Sequence, residues 1–327
     1  MSLRIIDSTA VRQALPMAAC IDQMALAMRA VSLGEVTMPA RQVIPLADGS
    51  GFLGLMPGSA RQPPAHGIKV LTICPRNAAS GRPVIQGMLV VFDPETGAPA
   101  AVIDAATVTA IRTAAVSGLA TRLLAREESR VLALIGSGVQ AESHLQAICA
   151  VRSITQVRVW NRTRATAEAF CARHDGRFGC RVEMADTASA AVAGADIVCT
   201  VTAAAEPVLR GDWIAPGTHL NLVGSHDARH REVDEALIAR AMLVVDHRGF
   251  AETQAGEIVA ALEAGIIRAD HIRAELGDLV AHDALPRRSA ADITVFKSLG
   301  LVAQDLYAAE LVLRNAAASG LGTRCPF

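Results

Sequence analysis

From about residue 130 onward, short apolar runs alternate with alanine-rich stretches of helical periodicity. This alternation is typical of strands and helices that follow one another in a parallel sheet. The predicted strands are Val131–Ile135, Gln156–Trp160, Cys180–Met184, Asp196–Val201, His219–Val223 and Met242–Val245. Helices are predicted at Val139–Ala150, Arg164–His174 and Thr187–Ala193. The pattern therefore predicts an α/β fold with a doubly wound parallel sheet of six strands.

The first 110 residues have a different pattern. A helix is predicted over Met17–Ser32, and the segments after it alternate polar and apolar positions between glycines and prolines, as antiparallel strands do. The predicted strands here are Phe52–Met56, Gly67–Ile73, Met88–Phe92 and Ala100–Ile103, with a hairpin turn at Asp93–Gly97. Two further helices are predicted, from Thr107 to Leu124 and from Lys297 to Asn315.

These two patterns predict two domains in a chain of 327 residues. Residues 1–115 and 300–327 are expected to form an N-terminal α+β domain that the C-terminal helix completes. Residues 116–299 are expected to form the parallel-sheet domain, a Rossmann fold.

Composition excludes several classes of function. A net charge of −1 and an aromatic content of 3% argue against a nucleic-acid partner. No apolar stretch is long enough for a membrane span, and Asp7 and Arg12 interrupt any secretory signal. The seven cysteines are scattered and form no CxxC pair, which is typical of reduced thiols. We therefore expect a cytoplasmic protein without a membrane partner.

A glycine pattern follows the first strand of the parallel sheet. Gly136, Gly138 and Ala141 form G-x-G-x-x-A at the start of a predicted helix, where backbone amides meet the pyrophosphate of a dinucleotide. The candidate cofactor-binding residues of this loop are Gly136, Ser137, Gly138, Val139 and Gln140. The alternative is a glycine-rich turn that binds nothing.

The end of the second strand indicates which dinucleotide is bound. NAD-binding folds usually carry an acidic residue there, whereas this chain has Asn161, Arg162, Thr163 and Arg164. An amide, a hydroxyl and two guanidinium groups suit a 2′-phosphate, so we predict NADPH or NADP as the cofactor, with NAD also possible. The alternative is an exposed basic turn.

Lysine is rare among the basic residues. Of 31 lysines and arginines, only Lys69 and Lys297 are lysines, which suggests positions where arginine does not serve. Lys69 lies in a predicted strand, and the first domain also offers Arg41 and Arg112, whose guanidinium groups fit a carboxylate. These three are the candidates for binding an acid substrate.

At these residues the chain resembles the ornithine cyclodeaminase/mu-crystallin family. The matching pieces are Phe52–Pro57, Lys69, Thr109–Ala115, Gly136–Ala141, Val223–Ser225, Thr294–Gly300 and Asp305. The resemblance implies a homodimer, with Arg41 and Arg112 binding the substrate carboxylate and Lys69 contacting the carboxylate or the reacting nitrogen. The further cofactor contacts that we expect are Arg112, Thr113, Thr200, Val223, Lys297 and Ser298.

Three departures separate this chain from the cyclodeaminases of that family. Those enzymes carry Glu where this chain has Gly54, a catalytic Asp where it has His226, and an acidic ribose partner where it has Asn161. An alignment shifted by one residue places Asp227 at the catalytic position instead. The departures favour the NAD(P)H-dependent reductases of the family.

The resulting hypothesis is hydride transfer from NADPH to C2 of a cyclic imino acid. Δ1-Pyrroline-2-carboxylate would give L-proline, and Δ1-piperideine-2-carboxylate would give L-pipecolate, with Lys69 or His226 as the acid near the nitrogen. The alternatives are an ornithine cyclodeaminase with bound NAD, an alanine-dehydrogenase-like enzyme that aminates oxo acids, and an NADP-dependent ligand-binding protein without activity. No metal is predicted, because His226, Asp227, His230 and Glu232 match no ligand spacing of a metal site.

Overall fold

The computed structural model describes residues 2–282 and 287–327. The chain divides into two compact units, Met1–Arg112 with Leu301–Phe327 and Thr113–Gly300. The strands are β1 (Ser2–Ile6), β2 (Val36–Thr37), β3 (Gln42–Pro45), β4 (Phe52–Arg61), β5 (Pro64–Ile73), β6 (Ile85–Phe92), β7 (Pro99–Asp104), β8 (Val131–Ile135), β9 (Gln156–Trp160), β10 (Arg181–Met184), β11 (Ile197–Thr200), β12 (His219–Leu222), β13 (Met242–Val245), β14 (Ile272–Glu275), β15 (Thr294–Lys297) and β16 (Thr323–Pro326).

The α-helices are α1 (Ser8–Ala14), α2 (Met17–Ser32), α3 (Ala105–Leu124), α4 (Val139–Val151), α5 (Arg164–His174), α6 (Ala188–Val192), α7 (Glu235–Arg240), α8 (Arg248–Gln254), α9 (Gly256–Glu263), α10 (Leu276–His282) and α11 (Val302–Ser319). Short 3-10 turns occupy Pro75–Ser80, Gly211–Trp213 and Ala269–His271. Several helices start at a side-chain cap: Asp7, Thr187 and Asp234 each accept a hydrogen bond from a backbone amide of the first turn.

The first unit is built on one sheet in the order β16-β1-β7-β6-β5-β4-β2, with β3 paired to β4. Its strands are antiparallel except for β1 and β7, which run parallel. Helix α11 packs against α2 and against β4 and β5. The helical layer and the sheet enclose buried side chains such as Met24, Met28, Leu89 and Ile103.

The second unit is built on a parallel sheet in the order β10-β9-β8-β11-β12-β15-β13-β14. All its strand pairs are parallel, and apolar clusters with fully buried members such as Leu134 and Val198 lie against it. The prediction of an α/β fold with a parallel sheet is confirmed. The predicted number of six strands is wrong, because β14 and β15 extend the sheet to eight.

The predicted start of the C-terminal helix is also wrong. Lys297 is the last residue of β15, and α11 begins at Val302. Gly300 lies between them with φ of 80°. This left-handed conformation turns the chain between the strand and the helix, and glycine adopts it without strain. The apolar sequence continues from the strand into the helix, which is why its pattern did not reveal the break.

No single helix within residues 2–282 and 287–327 is long and apolar enough to cross a membrane. Helices α1 and α2, which meet at a bend of 81°, reach the required length and apolar composition only when they are taken together.

Candidate functional site

Lys69 lies in β5 with its ammonium group buried beside the first turn of α11. Its Nζ donates to Asp305 Oδ2 at 2.6 Å. Arg112 Nε donates to Asp305 Oδ1 at 2.9 Å, and Arg112 Nη1 donates to Gln304 Oε1 at 2.7 Å. Lys69 is 1% exposed, Arg112 is 4% exposed and Asp305 is 0% exposed. One carboxylate therefore bridges two cations in the interior of the first unit.

The Lys69 cluster, made of Lys69, Arg112 and Asp305, carries an excess of positive charge. Burial lowers the pKa of Lys69 to about 8, with Asp305 opposing the decrease and the charges of Arg112 and Arg41 adding to it. Burial opposes the ionisation of Asp305, but Arg112 and Lys69 together hold the pKa of its carboxyl below the usual range. A buried site with surplus positive charge favours an anion, and a carboxylate matches guanidinium geometry.

A pair of glycines lets α11 approach the strand that carries Lys69. Gly58 in β4 and Gly67 in β5 are directly opposite each other in the sheet. A Cβ on Gly58 would lie 2.5 Å from Val302 Cγ1, and a Cβ on Gly67 would lie 2.9 Å from Leu306 Cδ2. Both distances are too short for a Cβ atom. The close packing of α11 that brings Asp305 to Lys69 therefore depends on glycine at both positions.

Two other predicted positions lie near Lys69 in the first unit. Arg41 directly precedes β3 and is half-buried, and its positive charge contributes to the lowered pKa of Lys69. Gly54 lies on the same face of the sheet as Lys69, because it is two residues along β4 from Met56, which pairs with Lys69. The position where cyclodeaminases are expected to carry Glu therefore offers no carboxylate to this face.

The glycine loop of the second unit forms the turn from β8 into α4. Gly136 has φ of 113°, and a Cβ there would lie 2.8 Å from Val201 O. Gly138 caps α4, a Cβ there would meet nothing within 4 Å, and Val139 is 70% exposed. The first amides of α4 therefore face open space that an anionic group can fill.

Among the buried polar atoms of the second unit that have no hydrogen-bond partner in the described residues, two belong to predicted cofactor residues. They are Gln140 Oε1 in the first turn of α4 and Ser298 Oγ directly after β15. Because an unpaired buried polar atom is costly, a ligand that supplies a partner is favoured. Together with the open helix start, these atoms fit a dinucleotide at the carboxyl edge of the sheet.

The turn after β9 is connected to the glycine loop. Ser137 Oγ donates to Thr166 Oγ1 at 3.2 Å, and Asn161 Nδ2 donates to the same oxygen at 2.5 Å. Asn161 Nδ2 also donates to the carbonyl oxygen of Thr163, the residue before α5. The predicted cofactor residues Ser137, Asn161 and Thr163 thus lie together.

The two arginines of this turn differ in their surroundings. Arg164 donates to Glu168 and to Asp186, each at 2.9 Å. Arg162 is exposed and makes no hydrogen bond or ion pair with any other residue in the described part of the chain. Arg162 is therefore the arginine that is available to an added phosphate.

The remaining predicted cofactor residues are buried or half-buried. Thr113 is 7% exposed in α3, and Val223 is half-buried directly after β12. Thr200 is fully buried, and its hydroxyl donates to Glu232 Oε2 at 2.6 Å. Lys297 is also fully buried, and its ammonium group is directed to Ser225.

His226 and Asp227, the two candidates for one catalytic position, lie in the loop that follows β12. His226 is exposed and Asp227 is half-buried. Asp227 accepts hydrogen bonds from Arg229 N at 2.8 Å and from His230 Nδ1 at 2.8 Å. Although burial opposes ionisation, these two donors lower the pKa of Asp227. The Asp227 carboxylate is engaged in the turn of its own loop.

No group of three or more His, Cys, Asp and Glu side chains in the described ranges is placed to hold a metal ion.

Reasoning from the sequence missed the roles of Asp305, Gln304 and Glu257. Asp305 appeared only as part of a family pattern, although it is the counter-ion of both Lys69 and Arg112. No pattern in the sequence indicated a role for Glu257. Both are isolated acidic residues in helices, and nothing in a helical period distinguishes a buried counter-ion from a surface charge.

Comparison with known proteins identifies the family. The model of the ornithine cyclodeaminase/mu-crystallin family matches residues 4–320. The chain belongs to this family. Its members include mouse ketimine reductase mu-crystallin, which is 40% identical over 279 residues and aligns over 85% of each chain.

Two further family members match almost the whole chain. Δ1-Pyrroline-2-carboxylate reductase of Bacillus cereus is 34% identical over 324 residues, which cover 99% of both chains. The solved structure of Thermococcus litoralis Δ1-pyrroline-2-carboxylate reductase in complex with NADH and L-proline is 33% identical, with a TM-score of 0.95 and coverage of 98% of this chain and 99% of that one. The prediction of an oxidoreductase of this family is confirmed.

Proposed function

We propose that the protein reduces a cyclic imino acid, Δ1-pyrroline-2-carboxylate or Δ1-piperideine-2-carboxylate, to L-proline or L-pipecolate. At the coarser level, it is an NAD(P)H-dependent oxidoreductase of C=N bonds, as its reductase relatives are. The observation that carries the finer proposal is the Lys69 cluster, where two buried cations share one carboxylate.

The carboxylate of the substrate supplies the anion that this cluster favours. Arg41 and Arg112 bind it: the planar fork of Arg41 matches a carboxylate, and Arg112, whose Nε and Nη1 already donate to Asp305 and Gln304, offers its Nη2. Asp305 keeps the Arg112 side chain in a fixed orientation through its 2.9 Å contact. A neutral substrate of the same shape leaves the surplus charge uncompensated, so the site favours an acid.

Lys69 is the proposed acid toward the imine nitrogen. A protonated imine accepts a hydride more readily, because its C2 becomes more electrophilic. With a pKa of about 8, the Lys69 ammonium is charged at neutral pH and still gives up its proton readily. Asp305 remains ionised and stabilises the ammonium before transfer. His226 is the second candidate for this role and belongs to the other unit.

The cofactor is a nicotinamide dinucleotide. The α4 start, Gly136, Gly138 and Ser298 are the residues that we propose to hold it, and when bound it supplies the hydride. We further propose a preference for NADPH, supported by the exposed Arg162 and by the lack of a carboxylate at Asn161.

The cyclodeaminase alternative is disfavoured by Gly54, which leaves the face of Lys69 without the expected carboxylate. We expect no ornithine turnover for this reason.

The test follows NADPH absorbance with purified protein and each of the two cyclic imino acids. A parallel incubation contains NAD and ornithine and is assayed for proline and ammonia. NADPH oxidation in the first reaction and no product in the second is the expected result. Proline and ammonia from ornithine would identify a cyclodeaminase instead. NADPH oxidation in a third reaction, with pyruvate and ammonia, would indicate an amino-acid dehydrogenase. Tight NADPH binding with no turnover would favour a ligand-binding protein.

We also propose a homodimer. Near one end of strands β3 to β6, large apolar side chains of the first unit are exposed on both faces of the sheet, Val43, Phe52 and Ile85 on one face and Ile44 and Met88 on the other. A region of this kind is typical of a protein interface, and a second copy of the chain is the proposed partner.

A further inference from the structure

A buried ionic network lies at the carboxyl edge of the parallel sheet. It consists of Lys297, Glu257 and Glu232, all 0% exposed, and the buried hydroxyl of Ser225. Lys297 Nζ donates to Ser225 O at 2.8 Å and to Ser225 Oγ at 2.6 Å, and it lies 3.2 Å from Glu257 Oε2. Ser225 Oγ in turn donates to Glu257 Oε1 at 2.8 Å.

This geometry explains why position 297 is lysine in a chain that otherwise prefers arginine. The ammonium group carries its donors on one atom: it donates to the carbonyl and the hydroxyl of Ser225 and forms an ion pair with a Glu257 oxygen at 3.2 Å. A planar guanidinium spreads its donors over three nitrogen atoms, so it cannot make these contacts from a single atom.

Glu232 joins the ends of two neighbouring strands. One of its oxygens accepts from Thr202 N and Thr202 Oγ1, both at 2.7 Å. The other accepts from Thr200 Oγ1 at 2.6 Å and from Gly224 N at 2.7 Å. Because Thr200 ends β11 and Gly224 follows β12, a single carboxylate holds the two loops that leave these strands.

The network fixes the loop of residues 225–232 at both ends. Lys297 and Glu257 hold Ser225 at its start, and Glu257 Oε1 accepts from Glu232 N at 3.0 Å at its end. Between them, a Cβ on Gly256 would collide with His230 O, so the start of α9 also packs directly against the loop backbone. The segment held in this way carries His226, Asp227 and His230.

Stability alone is a weak reason for such a network. Two carboxylates and one ammonium are buried, and burial raises the pKa of Glu232 even though Lys297 opposes the increase. Replacing a buried ionic group by apolar side chains is often neutral or stabilising, so its presence at a ligand-binding edge indicates a positional role.

We propose that Lys297 and Glu257 are positioning residues that set the orientation of the His226–His230 loop for the chemical step. They act through Ser225 and Glu232. For catalysis this proposal rests on the proposed function with a part for His226, the second candidate for the acid, in the reduction.

The test compares Lys297→Arg and Glu257→Gln with the full-length wild-type protein. We expect kcat for imine reduction to fall by about 100-fold in Lys297→Arg, as for a misplaced reacting group, while KM for the imino acid and the Kd of NADPH stay unchanged. Glu257→Gln keeps the side-chain volume and is expected to change kcat in the same direction. The ring resonances of His226 and His230, assigned from single His→Asn variants, should shift in both proteins.

The matched control is Arg152→Met. Arg152 is a partly buried cation that donates to backbone carbonyls at the end of α3 and touches no residue of the network. We expect it to lower Tm and leave kcat unchanged.

Two results are decisive against the proposal, and a third separates it from the proposed function. Unchanged kcat and histidine resonances in Lys297→Arg and Glu257→Gln, with only a lower Tm, would show a merely structural network. A parallel loss of NADPH affinity and kcat would show a role in cofactor binding instead. If the wild-type protein reduces no imino acid, the proposed function fails on its own, while unmoved resonances in the variants would separately overturn the positioning role.

Discussion

Lys69, Arg112 and Asp305 bring three charged groups together in the interior of the first unit. The ammonium, the Arg112 guanidinium and the Asp305 carboxylate are all buried, and the positive charges outnumber the negative one. Removal of one partner leaves an uncompensated buried charge, which generally costs about 3–5 kcal/mol. The side chains of this cluster therefore support one another, and under the proposed function an anionic substrate completes their charge balance.

The pH dependence of the reaction follows from Lys69. Its pKa is lowered to about 8, so the protonated form that we propose as the donor to the imine predominates below that pH and is lost as the pH rises through it. We expect kcat/KM to be constant near neutral pH and to decrease above about 8. A pH profile of initial rates measures this. Arg41→Met removes one charge that lowers the pKa of Lys69, and should move the decrease to higher pH. A profile without any decrease up to pH 10 would contradict the assignment of Lys69 as the acid.

The proposed preference for NADPH is a second property that depends on one residue, Arg162. Arg162→Ala removes the exposed guanidinium from the turn after β9. We expect KM for NADPH to rise by about 10-fold to 100-fold, which corresponds to the free energy of one hydrogen bond to a charged group. KM for NADH should stay the same. The control is Arg164→Ala, whose guanidinium already pairs with Glu168 and Asp186 and should have a smaller effect. Equal losses for both coenzymes would contradict a 2′-phosphate contact.

At the scale of elements, the position of α11 against β4 and β5 determines whether the Lys69 cluster forms. In Gly58→Ala, the new Cβ would lie 2.5 Å from Val302 Cγ1, so helix or strand must move. We expect a loss of about 1–3 kcal/mol in the free energy of unfolding, as in other overpacked cores, and a lower kcat/KM because Asp305 moves with the helix. Urea unfolding and steady-state kinetics measure the two effects.

The control for this prediction is the double variant with Val302→Ala. Removing the valine methyl groups opens the space that the new Cβ needs, so the double variant should regain part of the lost stability and activity. Additive losses in the two substitutions would contradict the close contact as the cause.

The same elements show how far the sequence predicts the structure. Periodicity predicted α2, α4, α5 and the strands β8, β9 and β13 within about one residue, because each is a regular run bounded by polar or glycine residues. It missed β14, whose four residues include Arg273 and Glu275, and it merged β15 with α11 because Ser298 to Leu301 continue an apolar run. Lys69 was selected by its rarity, whereas Asp305 is 236 residues away and reaches it only through tertiary packing.

At the scale of the whole molecule, the proposed dimer makes a prediction about the exposed apolar strands of the first unit. Met88 is 48% exposed in β6, and a charge there should disfavour the burial of this region against a second copy. We expect Met88→Glu to shift the protein from dimer to monomer in light scattering after gel filtration. Ile266→Glu, at a similarly exposed apolar residue of the second unit, is the control and should leave the dimer intact. A wild-type monomer, or a dimer in Met88→Glu, would contradict this interface.

The pairing of β1 with β16 has a consequence for synthesis of the protein. Ser2 pairs with Pro326, and α11, which carries Asp305, also comes after every residue of the second unit. On the ribosome, the parallel-sheet unit is therefore complete while the first unit still lacks its final helix and an edge strand. During that interval Lys69 and Arg112 have no counter-ion, and the nascent first unit exposes the sheet surface that α11 later covers. Chaperones that hold exposed apolar surface on emerging chains should remain attached until residues 302–326 have left the ribosome.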